Sequence, residues 1–256
     1  AGGAFRGSDG SAPGAVDSPA TPLSVPVPDA RLPEEDPGVR ALLREGARAM
    51  NATFARWAGD GLTWLPERGV GYLPVAESPY DADYWRKYEG YAATEMGRAI
   101  TRARGDLLCR WAPNATVCDV GIGCGAFVES MDCRGYDVNP VGVEWLVNSG
   151  RWLDPRHTAV DALTFWDALE HIPDPAPMLA NAREWVFVSL PIVPGSGPPP
   201  PDWRHLRRDE HCWYFTRDGL IGFMREHGFR CVEHNTMESL LGREDSHTFV
   251  FERCAP

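Results

Sequence analysis

The chain has 256 residues, of which 43% are hydrophobic and 24% charged, with a formal net charge of -11. These values suit one globular domain that buries a core, and the acidic balance disfavours a nucleic-acid partner because the surface repels phosphate backbones. Seven cysteines, an odd number without a CxxC pair, predict free thiols in a reducing compartment; Cys118, Cys124 and Cys133 lack the close pairing of zinc ligands, so no metal is expected. No window approaches the ~20 apolar residues of a membrane span and no signal-peptide core leads the chain, which predicts a cytoplasmic protein without a membrane partner.

Residues 1–35 are rich in Ala, Gly, Ser, Pro and Asp and predict a disordered tail, since they hold too little apolar surface to offset the entropy of ordering. Asp36 before Pro37 is a helix-start signal, and Val39, Leu42, Leu43, Ala47, Met50, Phe54 and Trp57 recur at helical spacing, predicting a helix to about Trp57. Gly59, Gly61, Pro66, Gly69, Gly71 and Pro74 then predict loop. From Asp81 to Trp111 a longer helical region is expected, with Tyr84, Tyr88 and Tyr91 on one face, read either as core packing or as a cofactor lid. Residues 36–112 thus form a helical extension ahead of a core at 113–256.

Beyond Pro113, β-type runs alternate with short helices. Thr116 to Val120, Cys133 to Asp137, Arg151 to Leu153, Val160 to Trp166 and Trp185 to Leu190 are the predicted strands, implying βαβ crossovers and a parallel sheet covered on both faces. Phe229 to Asn235 and His247 to Arg253, with only a loop between them, predict an antiparallel hairpin.

An apolar strand runs directly into Gly121-Ile122-Gly123-Cys124-Gly125, where glycines allow a sharp turn and close approach of backbone to a ligand. With Ala126 this also satisfies the relaxed GxGxxA dinucleotide pattern, so NAD or FAD stays open at this point. In Gly135-Tyr136-Asp137-Val138-Asn139-Pro140 an acid ends the next strand; it reads as an acceptor for ribose hydroxyls or as a helix cap.

Leu169-Glu170-His171-Ile172-Pro173-Asp174-Pro175 follows the next strand, and this segment resembles the "LEHIPDP" stretch of class I S-adenosylmethionine-dependent methyltransferases. The glycine loop with Asp119 resembles their first motif, and Phe215-Thr216, a helix over 216–227 and Gly228-Phe229 resemble their "FT…L…GF" ending. The likeness spans about 113–253. It implies an α/β, Rossmann-like, mostly parallel seven-stranded sheet with helices on both faces and a C-terminal antiparallel hairpin, binding S-adenosylmethionine. It further implies that Asp119, Gly121, Gly123 and Gly125 hold the methionine moiety, that Asp137 binds the ribose and Val138 the adenine, and that Asp154 meets the adenine amino group. Phe165, Trp166 and Asp167 would line the methionine arm. Only Pro155 to Ala159 separates the third and fourth strands, too few for the usual crossover helix, so Asp154 reads equally as a loop residue.

For a hydroxyl or carbon acid as nucleophile, His171 and His211 are the candidate general bases, because imidazole titrates near neutrality. The helices at 37–111 and the loop from Pro191 to Cys212 are expected to select the acceptor. The fifth strand ends in Ser189-Leu190-Pro191-Ile192 in place of the Asp/Asn-Pro-Pro-aromatic motif of amino-methylating DNA enzymes, which favours a small-molecule or protein-bound acceptor. The alternatives are a methyltransferase-like scaffold without catalysis and an NAD- or FAD-dependent oxidoreductase.

Overall fold

A computed structural model describes residues 55–57, 61–75 and 80–255, the first of these as backbone only. In chain order these carry β1 (Ala55–Trp57), β2 (Leu62–Leu65), β3 (Val70–Tyr72), α1 (Ala82–Ala92), α2 (Glu95–Trp111), β4 (Val117–Val120), α3 (Ala126–Met131), β5 (Arg134–Tyr136) and α4 (Pro140–Asn148). There follow β6 (Val160–Trp166), a 3-10 turn at Leu169–His171, α5 (Ala176–Ala180), β7 (Ala182–Pro191), β8 (Trp213–Phe215), α6 (Arg217–Glu226), β9 (Phe229–Asn235), α7 (Met237–Leu240) and β10 (Ser246–Arg253).

The main sheet has the order β5-β4-β6-β7-β10-β9. Its first four strands are parallel, while β10 pairs antiparallel with both β7 and β9. This is the expected Rossmann-like α/β plan with its closing hairpin, and it has six strands in place of seven. The strand predicted over Arg151 to Leu153 is reduced to one parallel bridge, Trp152 to Gly135. Gly150 turns the chain in just before it with φ +66°, and the Asp154 carbonyl accepts the His157 and Thr158 N–H groups just after it, so too few extended residues remain for a ladder.

Parallel strands buried on both faces need near-continuous apolar runs, and β4, β6 and β7 supply them. Val186, Phe187, Val188 and Leu190 of β7 and Leu163 and Phe165 of β6 are all fully buried.

The first described residues depart from the sequence expectation. Of the predicted first helix, 36–54 lie outside the described residues, as does the predicted tail at 1–35. Its end at Ala55–Trp57 is a strand paired antiparallel with Leu62 to Trp64. The stretch read as loop holds β2 and β3, and with β8 they build a separate sheet in the order β1-β2-β3-β8. Glycine here serves packing as well as turning: Gly69 makes the turn at φ +62°, while a Cβ at Gly71 would stand 2.8 Å from the Trp64 ring that covers it.

The helical region from Asp81 is two helices. Asp81 caps α1 by accepting the Asp83 and Tyr84 N–H groups, and the Thr94 hydroxyl oxygen accepts the Gly97 N–H to start α2. Between β9 and β10, where only loop was expected, stands the single turn α7.

Candidate active site

The carboxyl ends of β5, β4 and β6 deliver Asp137, Gly121 and Asp167 to one rim of the sheet. Strand order reverses between β4 and β6, the place where open α/β sheets form a ligand crevice. Gly121, Gly123 and Gly125 all have left-handed φ, +77°, +58° and +80°. A Cβ at Gly121 would lie 2.7 Å from that of Ala168, and one at Gly123 would lie 3.2 Å from the Tyr88 ring. The loop backbone therefore packs directly against Ala168 after β6 and the Tyr88 ring of α1, with no room for side chains at its glycines.

Asp119 lies beneath that loop, buried, with its Oδ1 accepting the Thr164 hydroxyl at 2.5 Å. Burial pushes its carboxyl up to about 7, against the Thr164 hydrogen bond and the Arg104 charge, which pull it down. Asp137 is raised to about 6, again by burial, and the N–H groups of Asn139, Val138 and Ile122 hold it back from rising further. The cap of α4 is Asn139, whose Oδ1 accepts the Val141 N–H; Asp137 braces the turn ahead of it by accepting the Asn139 N–H at 2.7 Å. The Asn139 amide in turn donates to the Asp81 carbonyl and ties α1 to this rim. Val138 next door is an exposed apolar side chain, 43% accessible.

Other predicted positions are engaged differently. Asp154 does reach the carboxyl end beside β5, but the Arg156 side chain holds both its oxygens and keeps its carboxyl below the ordinary range, although burial acts the other way. Phe165 is wholly buried in the core. Trp166 packs edge-on against Phe127, lies under the Arg104 guanidinium, and has no hydrogen-bond partner for its buried Nε1. Asp167 adopts φ +55° and its carboxylate takes hydrogen bonds from Arg104 and Arg243.

These two arginines also hold Glu238, which is fully buried: Arg104 donates to both its oxygens at 2.7 and 2.8 Å, and Arg243 to one at 3.3 Å. Sequence reading gave no sign of this four-residue network. Arg243 sits in a loop 76 residues from Asp167, and Arg104 reads as one more polar residue of an amphipathic helix.

The tyrosine stripe faces the loop. Tyr88 lies over Gly123, and the Tyr84 hydroxyl donates to the Tyr88 hydroxyl at 3.1 Å. Both phenols are shifted upward, chiefly by burial, and stay neutral donors.

His171 and His211 come together, their rings perpendicular with centroids 4.7 Å apart. The Cys212 N–H donates to the Glu170 carbonyl and the Trp213 indole to the Ile172 carbonyl, which fastens the segment carrying His211, just ahead of β8, to the turn carrying His171. The His171 Nδ1 lies 3.0 Å from the Glu210 carbonyl and 3.0 Å from the Tyr80 hydroxyl. A carbonyl only accepts, so Nδ1 carries the hydrogen and Nε2 the lone pair. Burial lowers the basicity of both rings, and for His211 the neighbouring His171 lowers it further, so both imidazoles are neutral near pH 7. All seven cysteines are free thiols, as expected. None of the described helices is long and apolar enough to cross a membrane.

A family model described as a methyltransferase domain matches residues 84–234. Over 100 residues the chain is 33% identical to ubiquinone biosynthesis O-methyltransferase of Nitrosomonas europaea, covering 29% of this chain and 43% of that enzyme; the chain thus spans under half the length of this curated relative. Among solved structures, it is similar to 1,6-didemethyltoxoflavin-N1-methyltransferase of Burkholderia thailandensis (15% identity, TM-score 0.48, 73% of this chain and 96% of that one). A Synechocystis magnesium protoporphyrin IX methyltransferase is similar at 12% identity and TM-score 0.44, covering 67% of this chain and 93% of that one. With residues 84–234, more than half of its length, matched by that family model, the chain belongs to the class I, Rossmann-like S-adenosylmethionine-dependent methyltransferase family.

Proposed function

We propose that the protein transfers a methyl group from S-adenosylmethionine to a small-molecule or protein-bound acceptor. The observation that carries this reading is the left-handed glycine turn at Gly121 to Gly125 at the strand-order reversal, with Asp137 at the end of the neighbouring strand and Tyr88 above it. Asp137 offers carboxylate oxygens to the ribose hydroxyls, and exposed Val138 an apolar face to the adenine. Asp119 and the glycine backbone receive the methionine end, where the ammonium meets a carboxylate that is otherwise costly to ionise. Asp154 serves the adenine amino group only by sharing its oxygens with Arg156. Trp166 and Asp167, held by Arg104 and Arg243, form the floor, with Phe165 supporting them from the core.

The cofactor supplies a methyl already activated by a sulfonium, so that the acceptor's lone pair takes the methyl carbon while the carbon–sulfur electron pair stays on sulfur. The chain's own task is alignment and exclusion of water. Tyr84 and Tyr88 close the crevice, and the neutral imidazoles of His171 and His211 stand at its rim to take the acceptor's proton. The loop between β7 and β8 and the small sheet border the same rim and select the acceptor.

Calorimetric titration with S-adenosylhomocysteine tests this reading: micromolar binding, with NADH inert, is the expected result, and binding of NADH alone would overturn it. A second reading, a binding scaffold without turnover, draws on the two carboxylates, Asp154 and Asp167, that are tied up in ion pairs. Transfer of labelled methyl to any acceptor in a metabolite extract would eliminate it.

A further inference from the structure

Glu170, His171 and His211 converge at the carboxyl end of β6. One Glu170 carboxylate oxygen and one ring nitrogen from each histidine lie within 4.8 Å of one another. Glu170 is only 2% exposed, and its Oε2 is buried without a hydrogen-bond partner. The nearby guanidinium groups of Arg104 and Arg243 do not serve it, because their hydrogen bonds go to Asp167 and Glu238. A carboxylate buried in this way is costly unless a positive charge meets it.

We propose that Glu170, His171 and His211 form a binding site for a divalent transition-metal cation. Two imidazoles and a carboxylate are the donor set that such ions take, with positions left open. Ligand bonds of ~2.0–2.2 Å set donor atoms about 3–4 Å apart, so donors already within 4.8 Å of one another need to draw in by only about an ångström. The arrangement also meets the need for an outer shell, because the Glu210 carbonyl fixes the His171 tautomer and aims Nε2 inward. The backbone bond from Cys212 to Glu170 holds the two halves of the site in register. With a cation bound, the imidazole lone pairs are taken by the metal, which would itself lower the pKa of an acceptor oxygen bound to it.

Chelator-stripped full-length protein titrated with Co2+ gives the test. The expected result is one equivalent bound with visible bands of nitrogen and oxygen ligation, and a raised melting temperature by mass action. In Glu170→Gln, and separately in His211→Ala, affinity should fall by more than about 100-fold, the upper end of the effect of losing an outer-shell partner. S-adenosylhomocysteine affinity and the metal-free melting temperature, measured on the same variants, report whether each is folded. Three results would overturn the proposal: no Co2+ binding by the parent chain, thiolate charge-transfer bands showing that cysteines hold the ion, or undiminished binding in both variants. Loss of S-adenosylhomocysteine binding in the parent chain would instead remove the methyltransferase reading and leave the metal site to stand or fall on its spectrum.

Discussion

At the residue scale, Asp137 and Asp119 make separable demands. With Asp137 in its proposed role, Asp137→Ala would remove two charge-assisted bonds to the ribose, so affinity for S-adenosylhomocysteine should fall by roughly 10- to 1000-fold in calorimetry. Stability should fall as well, by about 1 kcal/mol, because the Asn139 N–H loses its acceptor although the helix cap itself stays. Asn139→Ala, which removes the cap and leaves Asp137 in place, should lose about 1 kcal/mol in urea unfolding with little change in affinity. Asp119 has a folded pKa of about 7, above its ordinary 3.8. Between those values the ligand-free folded protein binds more protons than the unfolded chain, so this residue makes the protein less stable as pH rises through that window. Other carboxyls, such as Asp154 and Asp167, shift the other way, so the difference between the parent chain and Asp119→Asn isolates the effect. The parent should lose ground to the variant from about pH 4 to 7. Binding has the opposite slope, since the ammonium favours ionised Asp119, and S-adenosylhomocysteine affinity should weaken as pH falls below about 7. A pH-independent affinity from pH 5 to 8 would rule out both Asp119 and Asp137 as cofactor contacts.

At the element scale, the glycine loop joins β4 to α3 only because three of its residues accept left-handed φ. Gly121→Ala carries a left-handed cost of about 1–2 kcal/mol and drives its Cβ into Ala168, so urea unfolding should register at least that loss. The Arg104–Asp167–Glu238–Arg243 network links α2 to the end of β6 and to α7. Arg104→Ala leaves buried Glu238 with only the 3.3 Å contact from Arg243, and should cost about 3–5 kcal/mol by the same measurement. A loss under 1 kcal/mol would mean that water replaces the guanidinium.

The elements that were legible in the sequence are those with a local cause. β4 into its glycine turn, β6 into a proline-bounded turn, and the β9 and β10 pair each declare themselves within one short continuous stretch of chain. The four-stranded sheet does not, because β3 at Val70–Tyr72 finds its partner at Trp213–Phe215 and its glycines imitate loop. The break between α1 and α2 was hidden for a different reason: its threonine cap stands between Gly90 and Gly97, both inside helices, in a run without proline that reads as one helical pattern. At the site, Asp119, Asp137 and the glycines stand at strand ends that periodicity reveals. His171 and His211 were visible singly, but their meeting depends on a backbone bond across 42 residues of chain.

At the scale of the whole molecule, a ligand that binds only the folded state stabilises it. S-adenosylhomocysteine at 100 times its Kd should add about 2.7 kcal/mol, which for a chain of this size raises the melting temperature by roughly 5–11 °C. A shift below 2 °C would argue against a formed cofactor site. The two halves of the proposed chamber have separate supports. β4 and β5 carry the cofactor half, whereas the acceptor half hangs on β8, one backbone continuous with His211 and bonded along its length to β3. The hairpin at 61–75 therefore backs the strand that continues from His211, and a change there would reach the proposed acceptor side before the cofactor side. The glycine loop and Asp137 lie on other strands and keep their form, so acceptor preference can drift while the methyl donor stays the same.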